Sequence, residues 1–320
     1  MAIDYDKIMS LETKDQEFSY SDRETMLYAL GVGFGNDPLN EDELKFVYER
    51  ELKTIPSMAT VISWGAGNMR ESGINYLLVL HGEQRLKMFE PLPHAANILV
   101  DSSVKGVFDK GKDKGALIIT ETDIKLKDTG KLLCTLGSTT FARGDGGFGG
   151  PSEGAPEPHL IPERNSDEEF TATTDKNQAL LYRLSGDRNP LHSDPEIAKA
   201  AGFDVPILHG LCTYGTACRT IISDVCGYDS SMIEEFNVRF SSPVFPGENI
   251  TTEIWKDDNV ISFRCWVKER NVMVLNNGKC VIKNWFMMSK SKPYLFILWT
   301  MPSKIMQIKM TKTKPSKAAI

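Results

Sequence analysis

The sequence predicts an α+β protein made of two copies of one unit, each a helix followed by a meandering antiparallel sheet. Three observations point there. Short motifs recur in one order: Ser21-Asp22-Arg23 leads into Leu27-Tyr28-Ala29-Leu30 as Thr174-Asp175-Lys176 leads into Leu181-Tyr182-Arg183-Leu184, offset by 153 at the aspartates and 154 at the tyrosines. Pro91-Leu92 and Asn97-Ile98 then match Pro243-Val244 and Asn249-Ile250 at an offset of 152, which indicates internal duplication. Between the copies, residues 144–162 hold six glycines and four prolines, a composition that suits neither a regular helix nor a central strand.

The organisation that follows is a first repeat over 1–143, a linker over 144–163, a second repeat over 164–282 and a tail over 283–320. Each repeat opens with an amphipathic helix that has Asp22 or Asp175 at or near its N-cap. Alternation predicts strands over 85–90, 116–127 and 132–143, then over 236–240, 250–255, 260–270 and 272–281. Asn276-Asn277-Gly278 reads as a hairpin turn, with glycine supplying positive φ.

Composition narrows the function classes. Of 320 residues 41% are hydrophobic and 25% charged, enough for a full core. The net charge of −6 offers no general attraction to nucleic acid or to an anionic membrane. The tail departs from this balance: residues 283–320 carry eight lysines and no acid, leaving 29 basic against 43 acidic groups, or −14, on the rest. Six cysteines form no C-x-x-C pair and read as buried, reduced thiols. Residues 1–14 lack the apolar core of a secretory signal, and the longest apolar stretch, 294–301, falls far short of the ~20 residues that span a bilayer. The expectation is a soluble intracellular protein.

The most informative stretch is Tyr182-Arg183-Leu184-Ser185-Gly186-Asp187-Arg188-Asn189-Pro190-Leu191-His192-Ser193-Asp194-Pro195. Gly186 and Asn189-Pro190 force the chain out of helix. Asp194 as N-cap and Pro195 at the first helical position then start a short helix that Gly202 ends. Asp187 and His192 thus share a turn between helices, and Asp with His can both take and give a proton near neutral pH. From these residues alone two readings stand: a catalytic pair, or a turn aspartate beside a packed surface histidine. Further on, Leu211, Tyr214, Ala217, Cys218, Ile221 and Ile222 form one apolar face, so a buried helix begins near Gly210.

The long motif resembles that of the MaoC-like (R)-specific enoyl-CoA hydratases, or hydratase 2, including the hydratase part of peroxisomal multifunctional enzymes. Ile207-Leu208-His209-Gly210-Leu211-Cys212-Thr213, Leu80-His81-Gly82-Glu83-Gln84, Pro91-Leu92-Pro93, Asp109-Lys110-Gly111, Val238-Arg239-Phe240 and Phe245-Pro246-Gly247-Glu248 fall in family order, so the resemblance spans roughly 20–281. It implies a double hot-dog fold, two sheets each wrapped round a helix, and hydration of trans-2-enoyl-CoA to (3R)-3-hydroxyacyl-CoA in fatty-acid β-oxidation. Asp187 and His192 would activate water and deliver a proton, Asn189 would help position water or substrate, and the Gly210 N–H would bind the thioester oxygen. His81, Gly82, Lys110, Arg188, Pro190, Leu191 and Phe240 would line the path of the CoA thioester. Lys110 could meet a phosphate, or be one more solvated lysine of a charged run. No cofactor beyond the CoA of the substrate is implied; a homodimer is allowed.

In the first repeat Gly31-Val32-Gly33-Phe34-Gly35-Asn36-Asp37-Pro38 stands where the second has its Asp/His turn, and no histidine follows. That repeat is expected to have lost the chemistry and to accommodate the acyl chain and CoA. The same glycines lack the last position of a dinucleotide fingerprint and follow a helix, so a Rossmann reading fails. His94 and His159 sit beside prolines and read as surface residues, and no pair of histidines has metal-ligand spacing, so no metal is expected. The alternatives are a thioesterase, which would send water to the thioester carbonyl, and a non-catalytic acyl-CoA-binding protein. Residence in the peroxisome follows from the resemblance alone, since the chain ends Ala318-Ala319-Ile320 and not Ser-Lys-Leu; otherwise the cytoplasm is expected.

Overall fold

The computed structural model describes residues 3–283. The tail expectation, from 284 onward, lies outside the described residues. The elements in chain order are α1 (Tyr5–Met9), β1 (Glu12–Tyr20), α2 (Asp22–Gly31), α3 (Glu41–Val47), α4 (Ala59–Ile62), β2 (Val79–Met88), β3 (Ala96–Asp109), β4 (Ala116–Leu126), β5 (Leu132–Ala142), β6 (Glu168–Thr173), α5 (Gln178–Tyr182), α6 (Pro195–Ala200), α7 (Gly210–Asp224), β7 (Ile233–Phe240), β8 (Asn249–Asp257), β9 (Val260–Val267) and β10 (Val272–Ile282).

The ten strands form one antiparallel sheet in the order β1-β3-β4-β5-β2-β7-β10-β9-β8-β6, five from each repeat. The two sheets of the double hot-dog are therefore joined edge to edge. At the seam Glu83 pairs with Arg239, Gln84 with Val238 and Lys87 with Glu235. This register sets Arg85 opposite Asn237, two positions 152 apart, the same offset that relates the repeats. The seam thus lies on the two-fold axis of the duplication. Pairing the two open edges there removes the aggregation liability that each half-sheet would carry alone.

The sheet wraps α7, whose Tyr214, Ala217, Cys218, Ile221 and Ile222 are fully buried. Thr216 and Thr220 donate their hydroxyls back to the carbonyls of Cys212 and Thr216, so the buried helix carries polar side chains without orphaning them. Across the repeats α2 lies directly on α7. A Cβ on Gly215 would stand 2.5 Å from Val32 Cγ1 and 2.8 Å from the Tyr28 hydroxyl, so only glycine allows this approach. Helix α2 begins with the Ser21/Glu24 capping box, in which the Ser21 N–H donates to the Glu24 carboxylate at 2.9 Å.

Several sequence expectations need correction. Asn276-Asn277-Gly278 is not a hairpin turn: β10 runs straight through it, and its register shifts there against both β7 and β9. The positive φ expected of Gly278 falls on Asn277 instead, at 54°, and Gly278 is needed for close approach, since a Cβ there would stand 2.4 Å from the Phe263 carbonyl oxygen; together they make a β-bulge. The β9–β10 connection is at Lys268–Arg270, with Asn271 at φ 53°. Strands β1, β3 and β6 went unpredicted, because their faces alternate too weakly or are charged along one edge. Asp175 stands two residues ahead of Asn177, the N-cap of α5, so it is near the cap and not the cap itself. Finally, the long helix implied for the first repeat is only a turn at Pro56–Met58 running into α4, four residues long. Pro56 stands at the first position of that turn, where proline is tolerated, and the helix stops at Ser63, ahead of Gly65 and Gly67 with φ 88° and 80°. His159 is half-buried, its Nε2 2.8 Å from the Ser262 hydroxyl, not a free surface residue. All six cysteines are buried free thiols, and burial pushes Cys218, Cys226 and Cys265 up to about 12.

Candidate active site

The Asp187–His192 turn is built by local chemistry. Gly186 has φ 145°, and a Cβ there would press within 3.0 Å of the Trp64 side chain, so glycine is needed on both counts. The Asp187 Oδ1 accepts the Asn189 N–H at 3.0 Å, and the Asn189 Oδ1 accepts the Leu191 N–H at 3.0 Å. Two successive side-chain-to-backbone turns thus lead into the 3-10 turn Pro190–His192. Asp194 then caps α6 by accepting from the Glu196 and Ile197 N–H groups.

His192 is buried, and its Nδ1–H donates to the Ile207 carbonyl at 2.9 Å. That bond fixes the tautomer and leaves the Nε2 lone pair for the site. Burial holds its imidazole below the ordinary histidine range, with Asp187 opposing. Gly210 opens α7, and its first N–H groups have no helical acceptor. The ring of Phe240 lies beside Gly210, which is itself exposed, since a Cβ on Gly210 would meet Phe240 Cε1 at 3.3 Å.

His81, Gly82, Lys110, Arg239 and Phe240 line one cleft of about 610 Å³ on the seam side of the first repeat. The His81 and Phe240 rings face each other at 4.7 Å, and burial pushes His81 down to about 4 while the Asp187 charge opposes it. Asp187 acts on His81 through its charge and is not itself among the residues that line the cleft. Lys110 reaches across its mouth and donates to the Ser152 carbonyl at 2.6 Å. Arg188 and Pro190 are exposed and Leu191 half-buried on the turn, outside this cleft. Asn189 is also exposed, with its Oδ1 already used within the turn.

Two features escaped the sequence reading. His209, within the motif but treated only as helix-opening, is fully buried; its Nε2–H donates to the Asp187 carbonyl at 3.0 Å and its ring stacks on His192 at 3.8 Å. Asp187, His192 and His209 bring one ligand atom each within 4.8 Å. The two imidazoles lie nearly plane to plane, 28° apart, and each has one ring nitrogen committed to a backbone carbonyl. The second is Asp109, whose carboxylate accepts the N–H groups of Gly111, Gly147 and Gly149 at 2.7–2.8 Å. The glycine segment of the linker thus holds this carboxylate, and the Gly147 N–H first among these bonds keeps it below the usual carboxylate range.

Across the two-fold axis the geometry is closed. Positions 152 away from Phe240 and His81 are Met88 and Ile233. They line a cavity of only about 60 Å³ with Thr54, Pro56 and Leu92, and no histidine is among its lining residues.

Residues 159–277 match the MaoC like domain, and residues 18–144 match the MFE-2 hydratase 2 N-terminal domain. The chain belongs to the MaoC-like hydratase 2 family. Among its relatives is the peroxisomal enoyl-CoA hydratase 2 of Arabidopsis thaliana, 39% identical over 84% of this chain and 93% of that protein. The peroxisomal multifunctional enzyme type 2 of Mus musculus is 36% identical over 81% of this chain, which spans 36% of that longer protein. In structure, the MaoC-like dehydratase from Phytophthora capsici superposes with a TM-score of 0.79 at 32% identity, covering 88% of this chain and 99% of that one. In this hydratase 2 chain both family segments are present, and only the second carries the Asp/His turn.

Proposed function

We propose that Asp187 and His192 add water to the double bond of a trans-2-enoyl-CoA to give the (3R)-3-hydroxyacyl-CoA, as a step of fatty-acid β-oxidation. The carrying observation is the fixed tautomer of His192. With Nδ1–H held by the Ile207 carbonyl, Nε2 is the free ring nitrogen, and the His192 ring lies with a nitrogen within 4.8 Å of an Asp187 carboxylate oxygen. A water held between these two acceptors loses a proton as its oxygen attacks C3, and the pair returns a proton to C2 on the same face. The electrons displaced from the double bond collect on the thioester oxygen, where the Gly210 N–H and the positive end of α7 stabilise them. Water is the only co-reactant, so this reading calls for no cofactor or metal beyond the CoA of the substrate.

The cleft of His81, Gly82, Lys110 and Phe240 takes the thioester and pantetheine. The acyl chain is assigned to the first repeat, so the repeats divide the work into binding over 1–143 and chemistry over 164–282. Arg188, Pro190 and Leu191 hold the outer wall of the turn, and Asn189 shapes it while its amide faces water or substrate. Peroxisomal residence and homodimer assembly belong to the same reading; organelle fractionation and light scattering test them. No described helix is long and apolar enough to cross a membrane.

Incubation with trans-2-decenoyl-CoA tests the reaction. The expected result is loss of the enoyl absorbance, no free thiol and a (3R) product. Free thiol would indicate a thioesterase, mainly (3S) product would overturn the assignment, and binding without turnover would leave only an acyl-CoA-binding protein.

A further inference from the structure

His209 touches both members of the proposed pair by different means. Through Nε2–H it holds the backbone oxygen of Asp187 at 3.0 Å, and through its ring it lies 3.8 Å from His192 at 28°. Tyr182 closes its other side, with ring centroids 5.0 Å apart. His209 is also the N-cap residue of α7, so its backbone carbonyl accepts from Cys212 and Thr213 and ties it to the helix that presents Gly210. One residue therefore joins the Asp187 turn, the His192 ring and the α7 N-terminus. Its Nδ1 is buried and has no hydrogen-bond partner among the described residues, so helix capping and packing alone do not account for the choice of histidine.

We propose that His209 is a positioning residue for the Asp187–His192 pair, holding the backbone of one partner and the ring of the other in a single contact set. The inference rests on the reading of that pair given above. The titratable and charged groups around His209 are His192 across the stack, Arg183 and Asp187 from the turn, and Tyr182, whose ring packs on its other side. A proton on His209 would set a like charge against any charge on His192 and would strand a cation in a buried site. Burial first, then His192, pushes His209 down to about 3, consistent with a neutral spacer.

The experiment pairs two replacements. His209→Phe keeps a ring against His192 and removes the donor to Asp187; His209→Gln keeps an amide N–H near Nε2 and removes the ring. With trans-2-decenoyl-CoA we expect kcat to fall at least tenfold in His209→Phe and at least threefold in His209→Gln. KM should stay within about threefold, and the acid limb of the kcat/KM–pH profile should move. A capping or packing role alone would lower the melting temperature and leave kcat per folded molecule and the profile unchanged, and that result overturns the inference. Where the variants fail to fold, 15N spectra of histidine-labelled wild-type protein decide. One buried imidazole should keep the neutral Nε2–H form from pH 8 to pH 5, and a His209 that takes up a proton in that range overturns the inference. Asp187→Asn is assayed alongside: if it stays active, the reading of the pair fails, whereas an inactive Asp187→Asn beside an active His209→Phe sinks the positioning role alone.

Discussion

His81 of β2 and Phe240 of β7 face each other across the seam with ring centroids 4.7 Å apart, one from each repeat. Phe240 also lies beside Gly210, and the part of the cleft lined by His81 and Phe240 exists only because the two half-sheets pair edge to edge. At the mirror position 152 residues earlier stands Met88, beside a cavity too small for substrate. Phe240→Leu should lower kcat/KM with a decenoyl thioester roughly tenfold, about 1.4 kcal/mol of transition-state binding. Met88→Leu, the same kind of exchange at the mirror position, should leave kcat/KM within about threefold. Equal effects would mean that both positions contact substrate.

The closed mirror site makes a second prediction about the repeats. Asp187→Asn and His192→Ala should each lower kcat by about 10²- to 10⁴-fold, the usual range for a lost acid–base group. Asp37→Asn, in the loop that replaces the Asp/His turn, should keep kcat within a few-fold. Substantial turnover in His192→Ala, measured by loss of the enoyl absorbance, would move the site elsewhere.

A third prediction concerns pH. His81 and His209 are pushed down to about 4 and about 3, against about 6.5 in an unfolded chain, and His192 is lowered in the same direction. A depressed folded value means that the unfolded chain binds the proton first. The stability these groups contribute is therefore complete above about pH 6.5 and is lost as pH falls from there to about 4 for His81 and about 3 for His209. Thermal melts should drop by roughly 5 °C between pH 7 and pH 4.5, and His81→Phe should flatten part of that slope. A melting temperature constant over this window would contradict the burial of neutral imidazoles.

Helix contact across the repeats supplies a fourth. Gly215→Ala would force a methyl group against Val32 and the Tyr28 hydroxyl, at 2.5 and 2.8 Å, in a fully packed core. Overpacking of this kind costs about 1–3 kcal/mol. Denaturant unfolding should show a lowered midpoint with an unchanged slope. Gly73→Ala, where an added Cβ meets nothing within 4 Å but φ is 78°, should cost less, through backbone strain alone.

The sequence by itself determined the duplication, the α+β class, the buried face of α7 and the local build of the Asp187–His192 turn. These are written in short-range signals: a repeat offset, a helical period, Gly186 and the Asn189-Pro190 dipeptide. Tertiary structure alone decided what depends on long-range approach. That β2 and β7 fuse two sheets into one is a matter of which edges meet, and no local pattern marks an edge. Whether Asn276-Asn277-Gly278 turns the chain or bulges within it depends on strands on either side, since both uses need the same positive φ. His209 read as the residue before a helix; its contacts to Asp187 and His192 come from chain segments 22 and 17 positions away, brought together only when α7 is buried under the sheet.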